Sequence, residues 1–186
     1  MRFVIAFIGL AFLAACGGDP ALRFAVPQAP PGDRIAISAR SVEVREVTLP
    51  TYASSEEIFF ESSTGSISSD PSLLWADDPR RAMTLSLSRL IGEVTGAQTA
   101  SEPWPFEAFA EARVEVRVDE MIAGANGLFR LSGQYFVASD SSRVRERSGT
   151  FSLAAPYNAE QGIPSIAAAR AAVLRDLARL IASEGL

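Results

Sequence analysis

The sequence contains no histidine and no lysine, and all 17 of its basic residues are arginines. Without histidine, the chain can form neither a Ser-His-Asp or Cys-His catalytic group nor a histidine-bearing zinc site. Without lysine, it can form neither a Walker A loop nor a Schiff base, which excludes an ATPase of the P-loop type. The formal net charge of −5 argues against a nucleic-acid-binding protein.

Cysteine is nearly absent too, because Cys16 is the only one in the chain, which excludes an intramolecular disulfide bond. It follows Arg2 and the apolar run Phe3–Leu13, which is shorter than the roughly 20 residues that a membrane-spanning helix needs. Leu13-Ala14-Ala15-Cys16 resembles the lipobox of bacterial lipoproteins. The sequence therefore predicts a signal peptide over residues 1–15, cleavage between Ala15 and Cys16, and a covalent lipid on Cys16. An ordinary secretory signal with a chance cysteine is the alternative.

The residues after the cysteine bear on location. In many Gram-negative lipoproteins an aspartate directly after the lipidated cysteine retains the protein at the inner membrane, and this chain has Gly17 there. We therefore expect an outer-membrane anchor with the body facing the periplasm, and the inner membrane is the alternative. Four prolines within residues 16–33 indicate an extended tether, with a short edge strand over 22–26. The remainder, 34–186, is long enough for one domain.

Carboxylate pairs are the only common general acids and bases left to the chain. They are Asp77-Asp78, Glu56-Glu57 and Asp119-Glu120. Asp77 and Asp78 precede Pro79 and a helical pattern, where acidic residues cap a helix. The other two pairs lie where strand patterns meet polar segments, which is typical of solvated side chains. We therefore expect a protein that is not an enzyme and that needs no cofactor besides the lipid on Cys16.

Apolar periodicity predicts strands and two helices. Residues 34–49 are rich in β-branched side chains, but their alternation slips twice, which indicates bulges or a bent strand. Strict alternation over 110–118 places Ala112, Val114, Val116 and Val118 on an inward face and Glu and Arg side chains on the other, which predicts a half-buried strand with a solvated Glu/Arg face. Pairing between protomers is the alternative for that charged face. The turn Gly124–Gly127 predicts a hairpin with the next strand. The other predicted elements are a strand over 58–60, a loop over 61–71, a helix over 79–94, strands over 128–138 and 143–153, and a helix over 165–182. This order predicts a single α+β domain, an antiparallel sheet with both helices packed on one face.

A family resemblance is carried first by the segment from Val42 to Tyr52. Its sequence VEVREVTLPTY resembles the VxVxxVxLPxY segment of the PqiC-type ABC-transport auxiliary lipoproteins. Trp75 before acidic residues and a helix, Pro103-Trp104-Pro105, the strands 113–121 and 128–137, and an Ala/Leu-rich last helix follow in the order of that family. The family-motif positions in this sequence are Leu49, Pro50, Tyr52, Trp75 and Trp104.

The resemblance implies a non-enzymatic subunit of an intermembrane lipid-transport system. In such a system a separate ATPase and permease work with an MCE-domain periplasmic protein, and the lipoprotein supports outer-membrane integrity. The resemblance further implies docking to the MCE-domain partner from the outer membrane, as a homo-oligomeric ring. A structural assembly lipoprotein of a secretion or outer-membrane biogenesis complex is the alternative, since it would have a similar tether and a similar small domain.

Overall fold

The structure is a computed structural model that describes residues 20–139 and 141–186. The predicted signal peptide, the cleavage site at Ala15 and the lipidation site at Cys16 lie outside the described residues. Within them, no helix is both long enough and apolar enough to cross a bilayer.

The framework of the described chain is an eight-stranded sheet. Its strands are β1 (Leu22–Phe24), β2 (Ser41–Val44), β3 (Glu57–Glu61), β4 (Ile67–Trp75), β5 (Gln98–Ser101), β6 (Ala112–Ala123), β7 (Leu128–Ala138) and β8 (Arg147–Pro156). β6, β7 and β8 form an antiparallel meander on one side of the sheet. The other edge of β6 pairs with β2 near its start and with β3 at its end. β5 lies beyond β2, and β4 and β1 lie beyond β3.

Two α-helices follow the predicted ranges closely. Helix α1 (Pro79–Thr95) begins after Asp78, whose side chain accepts a hydrogen bond from a backbone N–H of the first turn at 2.9 Å. It ends at Gly96, which has a φ of 78° that favours glycine. Helix α2 (Ile163–Leu180) continues into a π-helical turn over Ile181–Gly185. The predicted helix over 165–182 therefore included part of that turn.

The core lies between the sheet and the helices. The alternate residues of β6 from Ala112 to Val118 face inward as predicted, and each is at most 5% exposed. Leu87 of α1 and Leu177 of α2 are fully buried against the same core. Each large apolar side chain buried in this way contributes about 1.5–3 kcal/mol. This arrangement confirms the predicted α+β domain with two helices.

The sheet is mixed, so the prediction of purely antiparallel pairing was wrong. β2 runs parallel to β5 and to β6, and β1 runs parallel to β4. Parallel neighbours require a long connection between them, and β3, β4 and α1 form that connection between β2 and β5. The alternation that predicted the meander is confined to the C-terminal strands and carries no information on the direction of the N-terminal ones.

Several local predictions differ from the structure. The last strand was predicted over 143–153, whereas β8 spans Arg147–Pro156. In the segment 34–49, regular pairing is limited to Ser41–Val44, and Thr48 then forms an isolated parallel bridge to Arg117. The predicted loop over 61–71 is shorter, because β4 already begins at Ile67. β5 was not predicted, since its four residues, Gln-Thr-Ala-Ser, have no apolar alternation.

The C-terminal part of the predicted tether contacts the domain. β1 lies within the predicted edge strand and pairs with β4 over three residues. Arg179 of α2 donates hydrogen bonds to the carbonyl oxygens of Pro31, at 3.0 Å, and Asp33, at 2.8 Å. These contacts fix this stretch of chain against α2.

Candidate functional site

The motif residues that follow β2 support the middle of the sheet. Leu49 is 8% exposed in the core, and the carbonyl of Pro50 accepts the backbone N–H of Ala53 at 3.0 Å at the start of a 3₁₀ turn. This turn brings Tyr52 against β6, where its hydroxyl accepts the backbone N–H of Met121 at 3.1 Å. Met121 follows the position at which β6 shifts register against β7. The conformation of this segment accounts for the LPxY pattern in structural terms.

Trp75 lies at the end of β4 and packs against α2. The guanidinium carbon of Arg170 lies 4.5 Å from the centre of the Trp75 ring, which is a cation–π contact. Trp75 is 5% exposed and Arg170 is 4% exposed. Both side chains line a cleft of about 230 Å³, whose apolar walls include Phe24 and Leu85.

Arg170 has few polar partners for a buried charged group. Its Nη2 donates to the carbonyl oxygen of Pro79 at 3.4 Å, which is long for such a bond, and its buried Nη1 has no hydrogen-bond partner within the described chain. Burial lowers the pKa of Arg170 to about 10, so the guanidinium remains charged at neutral pH. The described residues form no ion pair with it. The cleft therefore contains a positive charge that nothing in the described chain neutralises.

Trp104 lies in the loop between β5 and β6, away from this cleft. Its Nε1 donates to the carbonyl oxygen of Ala108 at 2.7 Å, and its ring meets Phe106 edge to face with ring centres 4.9 Å apart. These two contacts hold the loop in a compact shape. Phe109 projects from it and is 92% exposed, and Phe106 is 44% exposed. We call residues 102–110 the aromatic loop.

The three carboxylate pairs bind arginines, serines or a helix end. Asp78 caps α1, and Asp77 pairs with Arg81. Glu56 pairs with Arg23 at 2.7 Å, and Glu57 accepts a hydrogen bond from the Ser69 hydroxyl. Glu120 pairs with Arg130 at 2.7 Å, whereas Asp119 is exposed. Within the described residues, no group of three or more potential metal-ligating side chains comes together.

The Glu/Arg face of β6 lies opposite the helices. Arg117 pairs with Glu115 at 2.6 Å and covers the ring of Phe136 on β7, with 4.6 Å between its guanidinium carbon and the ring centre. Exposed pairs of this kind contribute at most about 1 kcal/mol. The geometry therefore agrees with the solvated face that the alternation predicts.

Comparison with known families identifies the relatives of this chain. The family model of the ABC-type transport auxiliary lipoprotein component matches residues 22–182. The chain belongs to this family. The auxiliary lipoprotein family was the one that the motif from Val42 to Tyr52 predicted, and its model covers every strand and both α-helices of the structure. Membership makes the protein an auxiliary transport component of the lipoprotein type. No curated protein matches the chain in sequence.

Solved structures share the fold of this family member. One, described only as an uncharacterized protein, has a TM-score of 0.72 at 14% identity and covers 88% of this chain and 97% of its own. A DUF330 protein from Xanthomonas campestris has a TM-score of 0.62 at 15% identity, with 88% and 91% covered. A PelC dodecamer from Paraburkholderia phytofirmans reaches only 0.41 at 12% identity, with 85% and 95% covered. The likenesses to the first two structures concern the fold alone.

Arg170 is the residue that sequence reasoning missed. The predicted apolar stripe of the last helix contains Ile166, Val173, Leu177, Leu180 and Ile181. Arg170 lies four residues after Ile166 and three before Val173, so it belongs to the same helix face. An arginine in phase with an apolar stripe was the signal that could have found it. Of the predicted motif residues, Tyr52, Trp75 and Trp104 lie in three separate places, and no hydrogen bond or ring contact of the described chain joins them.

Proposed function

We propose that this auxiliary lipoprotein is a non-catalytic subunit of an ABC/MCE-type intermembrane lipid-transport system that supports outer-membrane integrity. The observation that carries the proposal is the family match over residues 22–182. An auxiliary role does not require chemistry on the chain itself, since a separate ATPase supplies the energy. The absence of histidine and lysine from the sequence agrees with this division of labour.

In this proposal the protein is anchored by its N-terminus. Signal cleavage between Ala15 and Cys16 leaves a lipidated Cys16, and the residues that follow connect it to β1, the first strand of the sheet. Gly17 favours the outer membrane, with the domain in the periplasm. Stable attachment needs more than one acyl chain, because a single chain binds a bilayer with a constant of only about 10⁴ M⁻¹.

The aromatic loop is the surface that we propose for docking to the MCE-domain partner. Phe109 is 92% exposed, although the loop around it is ordered by the contacts of Trp104 with Ala108 and Phe106. An exposed aromatic side chain on a preorganised loop costs little entropy when it is buried by a partner. Aromatic anchors of this kind dominate the binding energy of protein interfaces. The partner would offer an apolar recess for Phe109, and copies of this chain would form a ring around it.

Co-purification tests the proposal. The full-length lipoprotein, tagged at its C-terminus, should retain an MCE-domain protein, and Phe109→Ser should reduce the amount retained about tenfold, since burying a phenylalanine contributes about 1.5–3 kcal/mol. Ile67→Ser is the matched control, because Ile67 is also exposed, at 46%, but lies in β4. Cross-linking of the retained complex measures the number of copies.

Deletion and fractionation complete the test. Loss of the gene should raise outer-membrane permeability, and Cys16→Ser should abolish acyl labelling and release the protein from the outer-membrane fraction. A monomer that retains no MCE-domain protein and whose deletion leaves permeability unchanged would contradict the proposal. Neighbouring genes for secretion components, instead of an ABC permease, an ATPase and an MCE-domain protein, would favour the assembly-lipoprotein alternative.

A further inference from the structure

We propose that the cleft between β1, β4, α1 and α2 binds the oxyanion of an amphipathic molecule, a carboxylate or phosphate that carries an apolar chain. Arg170 is the partner of the oxyanion, and Trp75 holds the guanidinium in place from one side. The apolar chain lies along Phe24 and Leu85.

The guanidinium of Arg170 lacks the polar partners that a buried charge needs. Arg170 is 4% exposed, its Nη1 donates to nothing within the described chain, and its contact with the carbonyl oxygen of Pro79 is 3.4 Å long. Arginine has N–H donors in a planar fork that matches carboxylate and phosphate geometry. A buried charge is costly unless it is paired. A water molecule could accept the hydrogen bond of Nη1 but would not neutralise the charge, whereas an oxyanion would do both.

The lining of the cleft indicates what accompanies the oxyanion. Its walls are formed mainly by apolar side chains, including Phe24, Val26 and Leu85. Leu85 is 42% exposed, so an apolar chain that leaves the cleft past Leu85 would cover it. The one acidic side chain of the lining, Asp77, is already paired with Arg81. The volume of about 230 Å³ suits a headgroup and the first part of a chain, since whole drug-sized ligands occupy about 300–1,000 Å³.

Because Arg170 is only 4% exposed, we expect one wall of the cleft to move when the oxyanion enters. β1, which contributes Phe24, is the wall with the shortest pairing, because it joins β4 over only three residues. The other walls belong to the nine-residue β4, the 17-residue α1 and the 18-residue α2. We therefore expect β1 to be the element that shifts when the oxyanion enters.

The position of β1 in the chain favours a lipid as the source of the oxyanion. Only residues 17–23 separate Cys16 from Phe24, and eight extended steps of chain span at most about 28 Å. A lipid on Cys16 would thus hold the cleft close to a membrane surface. This last step rests on the proposed anchor, whereas the oxyanion site itself rests only on the geometry around Arg170.

Fluorescence of Trp75 tests the inference without any partner protein. The full-length lipoprotein is held in micelles of dodecyl maltoside, a detergent without an oxyanion, and carries Trp104→Phe so that Trp75 is its only remaining tryptophan. Hexanoate and hexyl phosphate should each change the Trp75 emission and reach saturation. Hexanol and inorganic phosphate should bind at least tenfold more weakly, because each lacks one half of the ligand. Whichever of hexanoate and hexyl phosphate binds more tightly identifies the carboxylate or the phosphate as the preferred group.

Three variants make the result specific. Arg170→Met should weaken binding of the hexyl anion at least tenfold, and Arg170→Gln should do the same if methionine perturbs the fold. Arg175→Met, on the same helix but paired with Asp176, should bind as the parent does. Asp77→Asn should bind the same anion at least as tightly as the parent does. Binding that survives the loss of the Arg170 charge, or inorganic phosphate that binds as tightly as hexyl phosphate, would overturn the proposal. Co-purification of an MCE-domain protein does not depend on any of these outcomes.

Discussion

Replacing Arg170 with methionine should stabilise the protein, although it removes a cation–π contact. Burial lowers the pKa of this guanidinium well below its ordinary value, to about 10. Because each tenfold change in proton affinity corresponds to about 1.4 kcal/mol, the folded protein loses roughly 3 kcal/mol by keeping the group charged. The whole cost is present at neutral pH, which is below both values, and would be relieved only as the pH rises through 10.

The contacts of Arg170 recover part of this cost. The stack on Trp75 contributes about 1–2 kcal/mol, and the 3.4 Å contact with Pro79 contributes little. Methionine fills a similar volume with a flexible apolar chain. We therefore expect Arg170→Met to raise the free energy of unfolding by about 1–2 kcal/mol, which corresponds to a rise of roughly 4 °C in the melting temperature of a protein of this size.

Urea denaturation followed by circular dichroism measures the difference. Arg175→Met, an arginine of the same helix that is paired with Asp176, should change stability by less than about 0.5 kcal/mol. Arg170→Ala removes the stem as well and should be less stable than Arg170→Met, because it leaves a cavity. A loss of more than about 1 kcal/mol in Arg170→Met would refute the reasoning, since it would mean that the charge of Arg170 is offset in the folded protein.

Three further predictions concern the framework. Tyr52→Phe should lower the free energy of unfolding by about 1 kcal/mol, because the backbone N–H of Met121 loses its acceptor. Chemical denaturation measures this change. The backbone N–H and the guanidinium of Arg40 donate hydrogen bonds to the Glu111 carboxylate and lower its pKa in the folded protein. The stability advantage of the wild type over Glu111→Gln should therefore be present above pH 4.5 and shrink as the pH falls, and unfolding measured at pH 6 and at pH 3 checks this. Gly133→Ala should lower the melting temperature, at a cost of roughly 2 kcal/mol or more, because its Cβ would lie 2.1 Å from the carbonyl oxygen of Arg117.

The parts of the fold that could be predicted are those with a long periodic pattern. The predicted strand over 128–138 and the helix over 79–94 agree with β7 and α1 to within one residue, since both bury one regular face. β5 could not be predicted, because a four-residue polar strand is defined by its neighbour β2 and not by its own pattern. The same holds for parallel pairing, which depends on how the chain returns across α1.

The candidate site was predictable only in part. Trp75 stood out in the sequence as one of two tryptophans, but its partner Arg170 lies 95 positions later in an Ala/Arg-rich helix, where most arginines are solvated. The phase of the helix placed Arg170 on the buried face, while its charge indicated the opposite. Periodicity cannot resolve such a conflict, because the burial of the arginine depends on whether a cleft surrounds the side chain in three dimensions.

Stability and binding at Arg170 should be linked. A ligand that binds only the folded protein stabilises it by about 2.7 kcal/mol at a concentration of 100 Kd. Hexyl phosphate should therefore raise the melting temperature of the parent protein, and it should leave that of Arg170→Met nearly unchanged. If Arg170→Met is more stable than the parent without ligand but gains no stability from hexyl phosphate, the buried charge serves binding. If Arg170 had a purely structural role, its replacement would instead lower the stability of the ligand-free protein.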